Sequence, residues 1–522
     1  MIASAMTTLA ACTLATPRFI AAACLAAESF REQHPGIPTY GLLVGERDDF
    51  PGAERLPFQA LRFEDLVTPP AASQRFRYDE RALSCSLKAS LLETLDRRFG
   101  VECALYLDAD TWVLSPLGEI LKMLERHPMV LFPVLGRAPR QPVVSPDGLL
   151  RRSGILSSGM FALRFTSGTR SFLDFWQRQL VRAAVHDPWL GILHDQTWFD
   201  FAVCFVDDVK IVRDRCYHLG YWNLDGGDIE RSGEDFLLDG SPVRVFHASG
   251  FDPAAPERIS GHLARDERQV TASLAPLVAR YAERLSAVAV RWSGRSDLSP
   301  FSRFRGVDVP IPESVRQLYD ALDPCGERWS DPFDSAGADS FYAFLRAPVR
   351  FPAGTLNQAA LALWESRSDL LKAFPDPCGE DLAAFVAWLL DHGEARRAGF
   401  DERLLAGVSA TPTPTTEDVD MPPVEPLRAA REIARDPRAV LLGQLTNARE
   451  SATGDWWIDQ GLPFTGAIGD GAVSRLAMLV HRHRPDVQIR FPDPAGADRV
   501  AFAGWLAEIG ALELARGLRR KP

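Results

Sequence analysis

The amino-acid sequence predicts an α/β fold with a mostly parallel sheet, followed by a mostly α-helical C-terminal region. Three observations support this. Short apolar runs alternate with longer helical stretches from Met6 to about Gly250, the alternation stops after Pro253, and 522 residues are too many for one ordinary core. Strands separated by helices are typical of a parallel sheet covered by helices. The predicted strands are Thr8–Leu14, Tyr40–Val44, Ala104–Leu107, Met129–Val134, Phe161–Leu163, Val203–Val206 and Val243–Phe246.

Helical spacing of apolar residues predicts the elements between these strands. One helix is predicted from Pro17 to about Glu32, and another over Ser273–Val288. Between them, Arg81–Phe99 is amphipathic, because apolar residues recur there at every fourth position: Leu83, Leu87, Leu91 and Leu95.

Changes in composition predict the domain boundaries. Helices predominate after about residue 300, and a Pro/Thr-rich tract, Thr411–Pro426, is typical of an exposed linker. We therefore predict an N-terminal domain over 1–255, a helical extension and connector over 256–299, helical modules over 300–407 and 427–522, and a linker over 408–426.

The two helical modules share a motif. Phe374-Pro-Asp-Pro-Cys-Gly-Glu-Asp381 recurs as Phe491-Pro-Asp-Pro-Ala-Gly-Ala-Asp498, and a Phe and a Trp three residues apart follow each copy. Pro and Gly predict a turn, the last Asp can cap the next helix, and the two aromatic residues fall on one helix face. We interpret the motif as structural.

Composition excludes some function classes. With 46% hydrophobic and 24% charged residues, the composition is typical of a folded protein. A net charge of −11 argues against a nucleic-acid partner, which requires a basic face. An acidic protein that handles a phosphate-bearing substrate needs a local cation, and a metal ion is the obvious candidate.

Cysteine usage and hydropathy indicate the compartment. Eight cysteines without a C-x-x-C pair are typical of buried apolar residues in a reducing compartment. The Ala-rich segment Met1–Ala27 lacks a basic region, and Arg18 interrupts its apolar run, which argues against a signal peptide. No transmembrane segment is predicted. We expect a cytoplasmic protein, with a peripheral position at the inner membrane face as a further option.

Two carboxylates, Asp108 and Asp110, directly follow the predicted strand Ala104–Leu107. In extended backbone, residues i and i+2 lie on the same side, so both carboxylates can face one point in the crevice beyond the strand ends. Two hard oxygen ligands suit Mg²⁺ or Mn²⁺, which can bridge a diphosphate. The pattern alone is weak, because Asp418-Val-Asp420 repeats it inside the predicted linker.

A second strand, Val243–Phe246, ends at His247. Imidazole is a natural third ligand for Mn²⁺, and a purely structural histidine is the alternative. Gly250 follows, and a glycine there allows backbone amides to approach a phosphate closely.

Three weaker elements lie between these strands. Asp195-Gln196 opens a predicted helix, where the aspartate has the alternative of serving only as an N-cap. Ser157-Ser158-Gly159 belongs to a predicted small-residue turn that enters a strand. Tyr221-Trp222, followed by Asn223, offers aromatic faces that suit stacking on a sugar or a base.

In chain order, these elements resemble the glycosyltransferases of the GT-A fold, particularly the retaining family 8 group (glycogenin-like and lipopolysaccharide galactosyltransferase-like enzymes). That family has a Y-L-D-x-D strand end, an N-[AS]-G turn, a D-Q helix start, a [WY]-N element and then H-x-x-G. The resemblance covers about residues 6–255 and departs at Ser157, where the family usually has Asn. The matching positions are Asp108/Asp110, Ser157-Ser158-Gly159, Asp195-Gln196, Trp222-Asn223 and His247-Ala-Ser-Gly250.

The resemblance implies a Rossmann-like mixed sheet and a set of site residues. Asp108, Asp110 and His247 would hold Mn²⁺ or Mg²⁺, and Asp195 and Gln196 would face the anomeric centre and the acceptor as catalytic residues. Lys88, on the helix before the Asp-x-Asp strand, would contact the donor, with a solvated lysine as the alternative. The residues that would bind the nucleotide-sugar are Asp108, Ser158, Gly159, Lys88 and Gly250.

The implied activity is that of a metal-dependent, retaining hexosyltransferase. It would move a sugar from a nucleotide-diphosphate donor, with a UDP-sugar favoured, to a saccharide, lipid-linked or other hydroxyl acceptor in bacterial-type cell-surface glycan synthesis. The C-terminal modules would bind another protein or subunit. The alternatives are a non-catalytic carbohydrate-binding or scaffold protein, and a sugar nucleotidyltransferase. The latter enzymes share a G-x-G-T-R loop after the first strand, where this chain has Ala15-Thr-Pro-Arg18.

Overall fold

A computed structural model describes most of the first 411 residues. The contacts divide the chain into two compact units, Met1–Phe301 and Ser302–Pro522. No helix within the described ranges has both the length and the apolar character needed to cross a bilayer. The finer division into five segments stays a prediction. The described residues are 8–137, 154–187, 192–224, 228–263, 270–292, 300–323, 326–351, 353–374, 376–377, 379–391, 393–411, 490–492, 498 and 501–502.

The N-terminal unit alternates strands with helices, as the sequence predicts. Its strands are β1 (Leu9–Ala15), β2 (Thr39–Leu43), β3 (Gln59–Leu61), β4 (Cys103–Leu107), β5 (Thr111–Val113), β6 (Met129–Pro133), β7 (Leu156–Arg164), β8 (His186–Asp187), β9 (Ile192–Leu193), β10 (Lys210–Ile211), β11 (Ile229–Ser232), β12 (Asp235–Leu238), β13 (Ser241–Pro242) and β14 (Val245–His247). Its helices are α1 (Ile20–Gln33), α2 (Ala72–Arg77), α3 (Glu80–Ser86), α4 (Lys88–Phe99), α5 (Gly118–Leu124), α6 (Ser167–Ala183), α7 (Gln196–Phe199), α8 (Ala202–Phe205) and α9 (Ala275–Arg291).

Seven of these strands form the central sheet, in the order β10-β6-β7-β4-β1-β2-β3. Neighbouring strands pair in parallel, except that β7 runs antiparallel to both β4 and β6. Parallel neighbours need crossover connections, which α1 supplies between β1 and β2. The segment with α2 to α4 leads from β3, at the edge of the sheet, back to β4, which pairs with β1. The predicted α/β class with a mostly parallel sheet is confirmed.

A small second sheet pairs β5 with β14 in antiparallel orientation, opposing Thr111 to His247 and Trp112 to Phe246. The ring of Tyr281 on α9 packs against both Trp112 and Phe246, with ring centroids 6.2 Å and 5.7 Å away. These buried aromatic contacts fix β5 and β14 in the core of the unit. Because β5 follows β4 after only three residues, the pairing carries His247 to the end of β4.

Three local predictions are corrected. The predicted strand Val203–Val206 is the short helix α8, because a short apolar run does not distinguish a strand from a helix. The predicted continuous helix over Arg81–Phe99 is broken at Leu87, between α3 and α4. The predicted turn at Ser157-Ser158-Gly159 lies inside β7, which begins five residues before the predicted Phe161.

The cysteine prediction holds in part. The six described cysteines are free. Four of them are buried, as expected, whereas Cys85 is half-buried and Cys204, on α8, is exposed. The buried cysteines are Cys12, Cys24, Cys103 and Cys216.

Helices predominate over strands in the described part of the C-terminal unit. Its helices are α10 (Glu313–Leu322), α11 (Phe341–Arg346), α12 (Gln358–Ser366), α13 (Ser368–Ala373), α14 (Leu382–Asp391) and α15 (Gly393–Arg397). Its strands are the short pairs β15 (Arg303–Phe304) with β16 (Val309–Pro310), and β17 (Pro348–Phe351) with β18 (Gly354–Asn357).

The repeated motif makes the same ring contact in both copies. Phe374 lies 5.4 Å from Phe385, and Phe491 lies 5.5 Å from Phe502, measured between ring centroids. In the first copy, the carboxylate of Asp381 accepts a hydrogen bond from the Asp376 amide at 2.8 Å, which ties the turn to the start of α14. Most of the second copy, and the predicted linker from residue 412 onward, lie outside the described residues.

Candidate functional site

Asp108 and Asp110 lie in a tight turn between β4 and β5. The Asp108 amide donates to the Gly159 carbonyl of β7 at 2.8 Å, and the Thr111 amide and hydroxyl both donate to the Asp108 carbonyl, at 3.1 Å and 2.8 Å. These bonds hold the turn against the neighbouring strand. Both carboxylates are therefore anchored at the C-terminal edge of the sheet, where ligands of open α/β sheets bind.

His247 joins the two carboxylates through the pairing of β5 with β14. Its Nε2 lies 3.0 Å from Asp110 Oδ1 and 4.0 Å from Asp108 Oδ2. The Ala248 amide donates to the Asp110 carbonyl at 2.9 Å, which keeps the two segments in register. One potential ligand atom from each of Asp108, Asp110 and His247 lies within 4.8 Å of the other two. The structure thus brings together the three residues that the resemblance assigns to a metal ion.

The chemistry and space of this trio fit a divalent cation. Two carboxylates and an imidazole are suitable donors for Mn²⁺ or Mg²⁺. Asp108 and Asp110 keep 28% and 21% of their side-chain surface exposed, so an ion can reach them from solvent. Gly159 lies directly against the trio, because a Cβ there would lie 2.4 Å from His247 Cε1 and 2.8 Å from Asp108 Oδ2.

The lack of space at Gly159 gives a test of the trio. We expect Gly159→Ala to push the imidazole and the Asp108 carboxylate apart, and to weaken Mn²⁺ binding by about tenfold or more, the loss typical of displaced support around a metal site. Titration calorimetry on the full chain measures the dissociation constant. Gly118→Ala is the matched control, since a Cβ there meets no atom within 4 Å. Equal affinities of the two variants would contradict the assignment.

Electrostatics links Asp110 to His247. Burial alone would lower the pKa of His247, but the negative charges of Asp110 and Asp108 outweigh it and raise that pKa above its ordinary value. Burial alone would raise the pKa of Asp110, but the facing imidazole holds it below its ordinary value. The carboxylates therefore attract positive charge to this point of the fold.

Lys88, the first residue of α4, is buried beside the trio. Its Nζ lies 3.1 Å from Asp108 Oδ1 and 2.9 Å from Asp195 Oδ2, and donates to the Ser158 carbonyl at 3.1 Å. The alternative of a solvated lysine is therefore wrong. Burial opposes its charge, but the carboxylates of Asp108 and Asp195 outweigh burial and raise the pKa of Lys88 well above its ordinary value. Lys88 is a fixed cation that joins Asp108 to Asp195.

Asp195 precedes α7 but its side chain does not cap that helix. Its carboxylate pairs with Lys88 instead, so the alternative of a simple N-cap is wrong. Burial alone would raise the pKa of Asp195, but the charge of Lys88 and a hydrogen bond from Ser158 hold it below its ordinary value. Asp195 is thus an ionised, buried carboxylate. Gln196, the first residue of α7, is half-buried next to it.

The backbone before Asp195 is strained. His194 adopts a left-handed φ of 46°, while its amide donates to the Val185 carbonyl and its Nδ1 lies 3.1 Å from the Ala184 carbonyl oxygen. A left-handed conformation is unfavourable for a side chain of this size unless its surroundings enforce it. These contacts hold His194 in that conformation directly before Asp195 and α7.

Gly250 lies in the loop after β14. Its φ of 72° is left-handed, and a Cβ there would lie 2.6 Å from the His262 ring and 2.7 Å from Ser260 Oγ. The Gly261 amide donates to its carbonyl at 2.8 Å. Conformation and close packing therefore explain the glycine, and its predicted contact with a phosphate stays a prediction.

One site residue, His218, was missed by sequence reasoning. Its Nε2 lies 2.9 Å from His247 Nδ1, on the side of the imidazole opposite to the carboxylates. The signal available was slight: one of ten histidines, in the loop just before Trp222-Asn223. The Trp222 ring lies edge-on to His247 with centroids 5.2 Å apart, while its predicted stacking on a sugar or base stays a prediction.

Comparisons with known proteins find similarity at the level of solved structures. No protein-family model and no curated protein matches the sequence. The galactosyltransferase LgtC, solved with donor and acceptor sugar analogues, is 16% identical over 53% of this chain and 95% of its own, with a TM-score of 0.31. The glycosyltransferase GlyE of Streptococcus pneumoniae TIGR4 is 11% identical over 56% of this chain and 66% of its own, with a TM-score of 0.33. The bifunctional glycosyltransferase WbbM is 9% identical over 56% of this chain and 53% of its own, with a TM-score of 0.33.

Proposed function

We propose that the chain is a metal-dependent glycosyltransferase that moves a sugar from a nucleoside-diphosphate donor, with a UDP-sugar favoured, to a hydroxyl acceptor. The observation that carries the proposal is the convergence of Asp108, Asp110 and His247 on one point, with the buried pair Lys88 and Asp195 beside it. Residues distant along the chain meet there with the donor set and the space that a divalent cation needs.

The leaving group of such a transfer is a nucleoside diphosphate, and its departure builds negative charge on its oxygens. A divalent cation held by Asp108, Asp110 and His247 would supply Lewis-acid stabilisation of that charge. The pairing of β5 with β14 sets His247 opposite Thr111, and the Ala248 amide donates to the Asp110 carbonyl, which supports this role for Asp110 and His247. Gly159 leaves room for the His247 ring and the Asp108 carboxylate, and Ser158 lies next to it on β7.

Sugar transfer also requires stabilisation of the positive charge that develops on the sugar ring. Asp195 suits this role, because it is buried and its pKa is held below its ordinary value, so it stays ionised at neutral pH. An ionised carboxylate in a site with little water interacts strongly with developing positive charge. A group that remains deprotonated does not serve as the proton donor. We assign Gln196 the neighbouring position facing the acceptor.

Lys88 would organise both halves of the site. Its ammonium group contacts Asp108, from the metal trio, and Asp195, from the sugar-facing side, and so keeps the two carboxylates at a fixed separation. Its charge also limits the repulsion that two such acids would otherwise exert on each other and on an anionic donor.

Retention of anomeric configuration rests on the family resemblance.

A donor panel tests the function. The full chain is heated with UDP-, GDP- or dTDP-sugars, in Mn²⁺ or in EDTA, and the midpoint of unfolding is measured. A donor that binds the folded state raises the midpoint, with about 2.7 kcal/mol of added stability at a concentration of 100 Kd. We expect the rise for a UDP-sugar in Mn²⁺ and its loss in EDTA.

Release of nucleoside diphosphate then separates an enzyme from a binding protein. We expect Mn²⁺-dependent release of UDP from the stabilising donor. Binding without release would instead support the non-catalytic scaffold. If no donor binds and none is hydrolysed, the proposal is refuted.

The broader assignments are proposals from the sequence. They place the protein in bacterial-type cell-surface glycan synthesis, in the cytoplasm or at the inner membrane face. A saccharide or a lipid-linked hydroxyl would be the acceptor, and the C-terminal modules would bind another protein or subunit.

A further inference from the structure

His218 and His247 share a hydrogen bond that is closed off from water. His218 Nε2 lies 2.9 Å from His247 Nδ1, and the two ring centroids are 5.2 Å apart. His218 is only 2% exposed and His247 only 6%. The contact lies on the far side of the His247 imidazole from Asp110, whose Oδ1 faces Nε2 at 3.0 Å. Both nitrogens of His247 are therefore engaged, one with the carboxylates and one with His218.

The direction of this hydrogen bond decides what His247 can do. An imidazole that binds a cation through Nε2 must carry its proton on Nδ1. That N–H can then donate only to an unprotonated nitrogen, which here is His218 Nε2. A neutral His218 with a bare Nε2 carries its own proton on Nδ1. If His218 donated instead, the proton of His247 would move to Nε2 and block the cation.

The surroundings of His218 offer no other polar role. Its ring contacts the rings of Phe132 and Trp222, with centroids 5.9 Å and 5.4 Å away. Its Nδ1 is buried and has no hydrogen-bond partner among the residues that the structure describes. A buried polar atom left unpaired lowers stability, so an apolar residue would suit this pocket better than histidine if packing were its only role. The hydrogen bond between its Nε2 and His247 Nδ1 therefore explains why this position holds a histidine.

The loop that carries His218 is fixed independently of the ring. Asn223 Nδ2 donates to the His218 carbonyl at 2.9 Å, and the Gly220 amide donates to Asn223 Oδ1 at 3.0 Å. The Leu219 amide donates to the Val245 carbonyl at 2.9 Å, which attaches this loop to β14. His218 and His247 are thus held on adjacent, hydrogen-bonded segments, and the distance between their rings is set by the backbone.

We propose that His218 is a positioning residue for the metal site: it accepts the Nδ1 proton of His247 and so fixes the tautomer and orientation in which the His247 Nε2 lone pair faces the cation. The proposal rests on the proposed function, because it requires the cation. In metal-binding histidines, the N–H of the second ring nitrogen commonly donates a hydrogen bond to a carboxylate, a carbonyl or water. Here the acceptor is a neighbouring imidazole.

Substitution of His218 tests the proposal through metal affinity, without nucleotide or substrate. His218→Phe keeps a ring of similar size among Phe132 and Trp222 but removes the acceptor. We expect the Mn²⁺ dissociation constant of the full chain to rise by about 10–100-fold, the usual effect of losing such a partner. His218→Gln, whose side-chain carbonyl can accept the proton, should recover most of the affinity. His127→Phe, at a histidine that pairs with Asp208, is the control and should bind as the wild type does.

Unfolding midpoints in EDTA establish that each variant is folded. A folded His218→Phe with wild-type Mn²⁺ affinity would overturn the role of His218 while leaving the metal site intact. Failure of the wild type to bind Mn²⁺ would overturn the metal site itself, and with it both this proposal and the proposed function.

The tautomers give a measurement that needs no variant. In the wild type labelled with ¹⁵N-histidine and loaded with diamagnetic Mg²⁺, we expect His218 and His247 each to carry a proton on Nδ1, with His218 Nε2 unprotonated. A proton on His218 Nε2 in the loaded protein would refute the proposal.

Discussion

Asp110→Asn is expected to lower the rate of sugar transfer, or of donor hydrolysis, by about 10²-fold or more, on the scale of losing one preorganised electrostatic group. The substitution keeps the shape of the side chain and removes its charge. That charge faces His247 Nε2 at 3.0 Å and is one of the two carboxylate charges available to hold a cation. The comparison is the turnover number of each purified protein in saturating Mn²⁺ and donor.

Folding of the Asp110→Asn variant should be preserved. The Asp110 carbonyl still accepts from the Ala248 amide, so the contact between the turn and β14 does not depend on the carboxylate. Asp420→Asn is the matched control, since it removes the second acid of the other Asp-x-Asp pattern in the chain. Near-normal turnover of a correctly folded Asp110→Asn would remove the basis of the transferase proposal.

The parts of the site that lie within one strand and its end could be predicted from the sequence. An apolar run followed by two acids spaced by two residues places Asp108 and Asp110 at a strand end, and β4 ends at Leu107 as predicted. The alternation of apolar runs and helices predicts the central sheet for the same reason, because each strand and helix is indicated by the residues within it. Local periodicity failed at the short apolar run Val203–Val206, and it did not reveal the break at Leu87 within the predicted helix Arg81–Phe99.

The convergence of the site could not be derived from local pattern. His247 reaches Asp110 because β14 pairs with β5, two strands of three residues each that lie far apart in sequence. Only the family resemblance indicated that they meet. The Ser158–Gly159 segment was placed in a turn because small residues are typical of turns, whereas in β7 the missing side chain of Gly159 makes room for His247.

Burial of charge was the least predictable feature. Lys88 falls within a helix whose outward positions are polar, which is typical of a solvated lysine. Its burial follows from the break at Leu87 and from two acids, Asp108 and Asp195, that approach from other elements. His218 had no local signal beyond its residue type, because its function depends on a contact with a residue on β14.

Lys88→Met is expected to lower the free energy of unfolding of the N-terminal unit by about 3–5 kcal/mol, the usual cost of removing one partner of a buried ion pair. The two side chains are similar in length, so packing is largely kept. The ammonium group, however, is the cation that faces both Asp108 and Asp195, and the Asp195 side chain is only 5% exposed. Denaturant unfolding measures the change, and Lys122→Met, at an exposed lysine on α5, is the control.

A double-mutant cycle separates loss of charge balance from loss of packing. If Lys88 stabilises the fold by neutralising Asp195, then Asp195→Asn in the Lys88→Met background removes the unbalanced charge and should restore part of the stability. If Lys88 acted only through its hydrocarbon chain, Met would replace it at little cost and the second substitution would recover nothing. An unfolding free energy of Lys88→Met equal to the wild type would mean that the ammonium group contributes no net stability there. The role of Lys88 in joining the two carboxylates would then have no energetic basis.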